Sequence, residues 1–368
     1  MFFDFNYGGV DILGGKKVIA LIPARNEAES ILGTIESIRR QTMPVDKIIV
    51  IANNCTDETA EVSLKHGACV IEMLENKRMK AGALNYALEK IVPELNDDDY
   101  ILIMDADTTL ANNLIEKCIE SFNKNPRAGA VSSIFTGRAC KSLLGTLQVM
   151  EFWRYRRQII RNGYRAFVLT GTASVFKVKA LKDVKKGRLN GSLPNYSNSY
   201  YDVYGRTEDN EITLAILKLG YDCPVADVFS QTDVMEDINK LIKQRERWYN
   251  GALINLKSYG RSLPWYMRFV YWRQQIGLIL SLIFLLMITS VFIIGFAFNV
   301  LQVTSVWLIP LSILAIERTS TVWSLGWKPR IIAATIIIEQ IYSVILILIF
   351  GLGLINFIVN KKGSWYTT

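Results

Sequence analysis

The residues up to about position 135 alternate short apolar runs with stretches of helical periodicity. Runs rich in β-branched residues occupy positions 18–22, 47–51, 68–71, 100–104 and 128–134. Polar turns and helix-like segments, such as those at 28–40 and 81–91, separate the runs. Alternation of this kind predicts an α/β domain built on a mainly parallel sheet. Such sheets bind ligands beyond the carboxyl ends of their strands, so the residues that follow each run are the first candidates for a site.

Polar sequences follow three of the predicted strands. The first strand is followed by PARNE at 23–27, the second by NNCTD at 53–57 and the fourth by DAD at 105–107. Asn26, Asp57 and Asp107 could each serve only to cap the next helix. Capping explains polar residues at three strand ends less well than a shared binding site does.

Asp105 and Asp107 are separated by one residue at the end of the fourth predicted strand. Two such carboxylates can hold a divalent cation that also bridges a diphosphate, and hard oxygen ligands suit Mg²⁺ or Mn²⁺. The cation would offset the charge that develops on the leaving group. The tripeptide alone is a weak indicator of metal binding.

Three cations, Lys77, Arg78 and Lys80, precede a run of small residues that begins a predicted helix. An ammonium group and the first backbone amides of a helix can together bind phosphate. A solvated basic surface is the alternative interpretation when this stretch is considered alone.

Glu208 and Asp209 precede another predicted helix, at 210–219. The simpler interpretation of this pair is that acidic residues are favoured at a helix N-terminus. The functional alternative is a general base that removes a proton from an acceptor hydroxyl. The chain has a single histidine, His66, so a base in this protein is expected to be a carboxylate.

A helix predicted at 236–256 carries the sequence QRERW at 244–248. Arg247 and Trp248 lie three and four residues after Gln244, so the three side chains share one face. Arginine can clamp a diphosphate, and an indole can stack on a sugar ring. A tryptophan packed in the core beside a membrane is the alternative.

The stretch at 182–206, rich in Gly, Asn, Ser and Tyr, is expected to be an inserted or mobile loop.

Two long uncharged stretches, 274–316 and 340–360, are apolar enough to cross a membrane. They predict two or three spans, at about 276–298, 303–323 and 331–359, and we favour three. The second span would place Glu317 and Arg318 in the membrane, where they must face protein, and the third segment holds Glu339. The chain is therefore expected to consist of a cytosolic α/β domain at 1–262 and a region of interfacial and transmembrane helices at 263–368.

Part of the net charge of +8 lies just before the first uncharged stretch, at basic residues that include Lys257, Arg261, Arg268 and Arg273. A basic segment beside a span marks the cytoplasmic face of the membrane and attracts anionic lipid headgroups. Because the charge clusters there, nucleic-acid binding is not expected.

Residues 1–17 are not expected to form a secretory signal, and the five scattered cysteines indicate neither a disulfide framework nor a zinc site.

Taken in order, the sequences PARNE, NNCTD, KAGALN, DAD, TED and QRERW resemble those of family-2 glycosyltransferases with the GT-A fold. The resemblance covers about residues 17–256. It extends especially to the membrane-bound branch that includes the cellulose, chitin, hyaluronan and poly-N-acetylglucosamine synthases. It implies a Rossmann-like GT-A domain that binds a nucleotide sugar, followed by C-terminal transmembrane helices in the cell membrane. Polymer synthases of this family usually have more spans, so the resemblance does not imply that this chain alone secretes a long polymer.

The resemblance also implies roles for individual residues. Those that it places around the nucleotide sugar are Pro23, Arg25, Glu27, Asp57, Lys80, Asp105, Gln244 and Arg247. It places Gly171, Thr172 and Trp248 at the acceptor, and Asp107 at an Mg²⁺ or Mn²⁺ ion. Asp209 would be the catalytic base, with Glu208 beside it.

The activity that the resemblance implies is an inverting transfer from a UDP-sugar, with a hexose or N-acetylhexosamine as the sugar. The acceptor would be the hydroxyl of a glycan or lipid-linked glycan at the membrane, in polysaccharide synthesis. Two alternatives stay open. One is transfer of a single sugar to a lipid or protein, and the other is a nonenzymatic membrane scaffold that retains the fold.

Overall fold

The computed structural model describes residues 15–194, 197–263, 265–299 and 305–359. Contacts within the chain define two compact units. The first unit comprises the chain up to Thr136 together with Gln158–Asp233, and the second comprises Gly137–Arg157 together with the chain from Val234 onward. The expected division at residue 262 concerns which part lies in a membrane. Compactness does not test that question, so the division stays a prediction.

The first unit is built on an eight-stranded sheet among its described residues. The strands are β1 (Val18–Ala24), β2 (Lys47–Asn53), β3 (Cys69–Met73), β4 (Tyr100–Ile103), β5 (Thr109–Leu110), β6 (Ala130–Gly137), β7 (Ser174–Lys177) and β8 (Val225–Thr232). Their spatial order is β3-β2-β1-β4-β7-β6-β8-β5. The pairs β1–β2, β1–β4 and β2–β3 are parallel, whereas β4–β7, β6–β7 and β5–β8 are antiparallel. The predicted α/β class is confirmed, but the sheet is mixed rather than mainly parallel.

The antiparallel part of the sheet depends on strands that the sequence pattern did not reveal. β5 and β7 contain only two and four residues, too few to show a period. β8 interrupts its apolar residues with Asp227, Ser230 and Gln231, so it does not read as a buried run. Because these three strands provide the antiparallel pairs, the prediction overestimated the parallel content.

The described residues contain twelve α-helices. They are α1 (Ile31–Arg39), α2 (Thr59–Lys65), α3 (Met79–Ile91), α4 (Leu114–Lys124), α5 (Leu143–Arg161), α6 (Val178–Leu189), α7 (Glu208–Lys218), α8 (Ile238–Tyr259), α9 (Trp265–Ala297), α10 (Leu308–Thr321), α11 (Trp327–Thr335) and α12 (Ile337–Ile358). The loop predicted at 182–206 was wrong in its first part, because α6 continues to Leu189. Val178, Leu181 and Val184 recur at helical spacing and are buried, which outweighs the polar composition of the segment.

The contact between β1 and α1 shows how apolar spacing positions the site. Ala20 and Ile22 alternate along β1, and Ile31, Ile35 and Ile38 form one face of α1. All five side chains are fully buried in the same core cluster. Burying an isoleucine contributes roughly 1.5–3 kcal/mol, so this contact firmly fixes the loop between the two elements.

Two helices of the second unit, Met267–Ala297 within α9 and Ile337–Ile358, are long and apolar enough to cross a membrane. The first overlaps the span predicted at 276–298. The segment predicted at 331–359 is divided at Ile336, whose φ is 60°, into a short α11 and the candidate span α12.

The third predicted span, at 303–323, is not found among the described residues. Positions 303 and 304 lie outside the described residues, and α10 has 14 residues. At about 1.5 Å per residue, this helix is shorter than the ~30 Å hydrocarbon core of a bilayer. The described residues therefore contain two candidate spans, and the number of spans in the chain stays a prediction.

The charged residues near the predicted spans find partners inside the second unit. Glu339 of α12 is 5% exposed, pairs with Arg154 of α5 at 2.8 Å and lies 3.9 Å from Arg318 of α10. Arg154 also donates to Thr321 Oγ1 and to the carbonyl of Arg318. A carboxylate in an apolar setting needs such partners. Arg318 and Glu339 therefore contact protein within this unit, whereas the Glu317 side chain is 58% exposed.

Candidate functional site

Lys80 brings together three of the predicted site carboxylates. Its Nζ lies 2.6 Å from Asp105 Oδ1, 3.3 Å from Glu208 Oε1 and 3.8 Å from Asp209 Oδ1. Lys80 stands in the first turn of α3, Asp105 follows β4, and the two carboxylates at 208 and 209 begin α7. Three motifs that are far apart in the sequence therefore converge on one ammonium group. We call these four residues the Lys80 cluster.

The Lys80 cluster has three acidic side chains for one cation. Burial alone would lower the pKa of Lys80, but the charges of Asp105, Asp209 and Glu208 outweigh it and hold that pKa well above its usual range. The buried Tyr201 lies close enough that Asp209 adds to the effect of burial in raising the pKa of its hydroxyl. The excess of negative charge favours binding of a second cation.

Gly171 faces the Lys80 cluster. A Cβ at this position would lie 2.6 Å from Asp209 Oδ2, 2.9 Å from Lys80 Nζ and 3.0 Å from Asp105 Oδ2. These distances are too short for unstrained contacts, so a glycine is what lets the backbone approach the cluster this closely. The structure therefore places one of the two predicted acceptor-side residues beside the predicted base.

Thr172, the other predicted acceptor-side residue, belongs to a buried hydroxyl network. Its Oγ1 donates to Thr170 Oγ1 at 3.0 Å and accepts from Ser230 Oγ at 3.1 Å. Ser132 and Ser133 extend the network on β6. These bonds fix the segment that carries Gly171. The direct contact of Thr172 with an acceptor stays a prediction.

Asp107 lies among a second set of carboxylates. Burial, followed by the charges of Asp105, Glu27 and Asp233, raises the pKa of Asp107 to about 6. Its Oδ1 also accepts hydrogen bonds, each 3.2 Å long, from the hydroxyls of Thr108 and Thr232. Glu27 follows β1 and Asp233 follows β8, so the ends of three strands contribute to this acidic group.

The residues around Asp107 fit a divalent cation that substrate helps to bind. Carboxylate oxygens are ligands that Mg²⁺ and Mn²⁺ prefer. A cation would also relieve the repulsion that raises the pKa of Asp107. Within the described ranges, however, no group of three or more His, Cys, Asp and Glu side chains could hold a metal ion. A cation at Asp107 would therefore need further oxygens from a bound ligand, as a diphosphate provides.

Asparagine side chains fix the loops that follow β1 and β2. Asn26 and Asn54 have φ values of 55° and 53°, in the left-handed region that asparagine tolerates better than most residues. Asn26 Oδ1 accepts from the backbone N–H of Thr56 at 2.8 Å, which joins the two loops. Asn76 exchanges two hydrogen bonds with Asn54 and donates to the carbonyl of Met79. Asn76 thereby anchors the start of the helix that carries the cluster's ammonium group.

The other predicted nucleotide contacts of the first unit lie on these loops. Those from the first loop are Pro23, at the end of β1, and Arg25 and Glu27, just after it. Asp57 accepts from the backbone N–H of Ala28 at 3.1 Å and from Thr59. Burial acts to raise the pKa of Asp57, but these hydrogen bonds outweigh burial and lower it. Asp57 therefore joins two loops, and its contact with a nucleotide base stays a prediction.

Gln244, Arg247 and Trp248 lie on α8 in the second unit. Arg247 is exposed and Trp248 is half-buried. Gln244 Oε1 is buried and has no hydrogen-bond partner in the part of the chain that the structure describes. The roles that the resemblance implies for these three residues stay predictions.

Three residues of the site were missed by the sequence analysis: Asp233, Asn76 and Tyr201. Asp233 would have been found had β8 been recognised, because it directly follows that strand. The Asn76 side chain donates to the backbone carbonyl of Met79, and the backbone of Tyr201 forms hydrogen bonds with the Asn85 side chain. No spacing rule identifies residues of these two kinds.

Known proteins are similar to this chain in sequence and in fold. Residues 19–185 match the family model described as Glycosyl transferase family 2. A poly-beta-1,6-N-acetyl-D-glucosamine synthase of Staphylococcus epidermidis is 30% identical over 240 residues, covering 63% of this chain and 53% of the relative. The enzyme of the same name from Staphylococcus aureus strain COL is 28% identical over 252 residues, covering 66% and 56%. The chain thus spans about half the length of these curated relatives.

A solved structure supports the fold over nearly the whole chain. It is the mannosyltransferase PcManGT from Pyrobaculum calidifontis in complex with GDP-Man and Mn²⁺. Its TM-score is 0.62 at 16% identity, and the match covers 94% of this chain and 88% of that chain. At this identity the likeness concerns the fold alone. Residues 19–185 of this chain therefore match a glycosyltransferase family 2 domain, and the solved structure supports a GT-A-like α/β fold.

Proposed function

We propose that the chain is a membrane-anchored, inverting glycosyltransferase that uses a UDP-sugar. The transferred sugar is a hexose or N-acetylhexosamine, and the acceptor is the hydroxyl of a glycan at the membrane, in polysaccharide synthesis. The names of the curated relatives support this acceptor class and point to N-acetylglucosamine as the first sugar to test. The two apolar helices support the membrane location, with the first 262 residues on the cytosolic side.

The Lys80 cluster is the observation that carries this proposal. It places a predicted diphosphate ligand, Lys80, within 3.8 Å of the predicted base, Asp209. Direct displacement at an anomeric carbon needs a base and a leaving-group ligand close together, because the acceptor attacks while the diphosphate departs. Gly171 lets the backbone of the predicted acceptor-side segment approach both groups closely, which supports a place for the acceptor hydroxyl next to the base.

The reaction that these residues support is a single displacement. The acceptor oxygen forms a bond to the anomeric carbon and gives its proton to the Asp209 carboxylate. The bond between that carbon and the diphosphate oxygen breaks, and the electron pair leaves with UDP. Lys80 faces the negative charge of the departing diphosphate and stabilises it. Attack from the side opposite the leaving group inverts the configuration at the anomeric carbon.

A divalent cation held by Asp107 would supply further neutralisation of the diphosphate charge. The acidic residues near Asp107 support Mg²⁺ or Mn²⁺ in this role. In the second unit, Gln244 and Arg247 keep their proposed role at the diphosphate, and Trp248 keeps its proposed role at the acceptor.

Nucleotide release tests this proposal directly. The full chain, purified in detergent, is incubated with UDP-N-acetylglucosamine, UDP-glucose or GDP-mannose and a short glycan acceptor, with Mn²⁺, Mg²⁺ or chelator. We expect release of UDP from one UDP-sugar and loss of that release with chelator, because the leaving diphosphate then lacks its cation. Release of GDP alone would contradict the UDP donor. No release from any donor by folded protein would contradict the enzymatic function and favour the scaffold alternative.

Product length separates polymer synthesis from transfer of a single sugar. Products of the active donor are resolved on a gel after many turnovers. A ladder of lengthening glycans supports polysaccharide synthesis. A single band one sugar longer than the acceptor would instead support the transfer of one residue.

Gly171→Ala is expected to lower kcat by about 10²-fold while leaving the thermal unfolding temperature nearly unchanged. The new Cβ would displace the ends of the Asp209 and Lys80 side chains. Those flexible ends can shift at little cost in stability, but a misplacement of about 1 Å can cost 10²-fold in rate. Gly33→Ala is the control, because its Cβ would meet only Thr109 Cγ2, at 3.8 Å. Equal kcat values for the two variants would remove Gly171 from the site.

A further inference from the structure

Arg245 occupies a position in QRERW that the motif leaves without a role. Its side chain is 4% exposed, so a full positive charge is buried on α8. The guanidinium Cζ lies 4.4 Å from the centroid of the Trp248 ring and 5.6 Å from that of Phe152. A cation at this distance from an indole is attracted to the ring and restricts where the ring can lie.

Glu151 of α5 holds this guanidinium in place. Its Oε2 accepts from Arg245 Nη2 at 2.9 Å and from the hydroxyl of Tyr342 at 2.7 Å. Tyr342 belongs to α12, the second candidate span. One carboxylate oxygen therefore joins α5, α8 and α12. A buried guanidinium without an anionic partner is costly, so Glu151 determines where the Arg245 side chain is stable.

We propose that Glu151 is a positioning residue for acceptor binding, which acts through Arg245 on the indole of Trp248. The proposal rests on the proposed function, in which Trp248 contacts the acceptor. Glu151 fixes the guanidinium, the guanidinium fixes the indole plane, and the fixed indole presents one face to a sugar ring. Tyr342 links this arrangement to the candidate membrane helix.

A simpler explanation is that Glu151 only docks α5 onto α12. The chain provides a matched control for this alternative. Arg154 and Glu339 join the same two helices one turn away, at 2.8 Å. Their other side-chain contacts are with Thr321 and Arg318 of α10, and not with residues of the QRERW motif. Loss of docking alone should therefore have the same effect at either pair, whereas loss of positioning should appear only at Glu151.

The experiment compares Glu151→Gln with Glu339→Gln in the full chain in detergent. Each substitution keeps the shape and removes one charge. We expect Glu151→Gln to raise the KM for acceptor about tenfold, the size of a partly desolvated cation–π contact, with the donor KM unchanged. Glu339→Gln should leave the acceptor KM unchanged. Glu151→Asp, which keeps the charge, should recover part of the loss. The Glu151 side chain is one-third exposed, so these variants are expected to fold.

Fluorescence provides a readout that does not need turnover. Acrylamide quenching of Trp248 is obtained by subtracting the signal of Trp248→Phe made in each background. We expect the Trp248 indole to become more accessible in Glu151→Gln and to stay as in wild type in Glu339→Gln. Equal quenching or equal acceptor KM in the two variants would overturn the proposal. Inactive wild-type protein would contradict the proposed function alone, and the quenching data would still decide whether Glu151 positions the indole.

Discussion

Asp209→Asn is expected to lower kcat by at least about 10²-fold, because a positioned general base contributes about 10²- to 10⁴-fold to a proton transfer. Asparagine keeps the size of the side chain but cannot accept the proton of the acceptor hydroxyl. Lys80 retains its bond of 2.6 Å to Asp105 in this variant, so the diphosphate ligand is expected to keep its place. UDP binding should therefore stay within a few-fold of wild type.

Asp209 is a better candidate for the base than Glu208 because of its exposure. The Asp209 side chain is 30% exposed, whereas that of Glu208 is 11% exposed and lies closer to Lys80. The Oδ2 atom of Asp209 is also the atom that a Cβ at Gly171 would meet first. This carboxylate oxygen therefore faces the Gly171 segment that we assign to the acceptor, and Glu208→Gln should lose less activity.

The measurement combines UDP release with calorimetric titration of UDP. Asp209→Asn should bind UDP and release almost none from the donor, while Glu208→Gln keeps a measurable rate. Normal turnover by Asp209→Asn would exclude it as the base. Loss of UDP binding in this variant would mean that Asp209 supports the donor site rather than the proton transfer.

Local patterns identified the members of the Lys80 cluster, because Asp105 follows a predicted strand and Lys80, Glu208 and Asp209 stand at predicted helix starts. Asp105 follows a run of four buried residues, and Glu208 and Asp209 begin a helix of clear periodicity. Parallel strands bring their carboxyl ends to one edge of the sheet, so residues after β1, β2 and β4 had to lie near one another. This strand-end rule needed no knowledge of side-chain packing.

The rule failed where long-range pairing creates the structure. β8 becomes a strand by pairing with β5, and neither shows a period in the sequence, so Asp233 was overlooked. The loop predicted at 182–206 was wrong in its first part, which is helical. Arg188 in this part is buried against an acidic partner that stands 23 residues later. A charged residue in a polar stretch gives no sign of such burial until its partner is known.

That partner is Glu211 of α7, one turn after Glu208. Substitution of this pair is expected to have the largest effect on the stability of the protein. Arg188 Nη1 and Nη2 bind Glu211 Oε1 and Oε2 at 2.9 and 2.6 Å, and both side chains are 0% exposed. Arg188 also donates to the carbonyl of Tyr200 at 3.4 Å. The pair therefore joins α6, α7 and the segment between these helices. It lies near the N-terminal end of α7, which carries the predicted base.

Arg188→Met is expected to destabilise the protein by about 3–5 kcal/mol, because it leaves the carboxylate of Glu211 buried without a cation. In a unit of this size the loss corresponds to a fall in unfolding temperature on the order of 10 °C. Lys185→Met is the control on the same helix. It removes a pair with Glu89 in which the side chains are 23% and 42% exposed. A surface pair contributes at most about 1 kcal/mol, so the control should shift the temperature by no more than about 3 °C.

The double variant Arg188→Met with Glu211→Leu shows whether charge or packing causes the loss. Removing both charges eliminates the uncompensated carboxylate, and replacement of a buried pair by apolar residues is often neutral in stability. We therefore expect the double variant to recover most of the unfolding temperature, measured by thermal unfolding in detergent. A double variant as unstable as Arg188→Met would show that the shape of the two side chains, rather than their charge, holds α6 against α7.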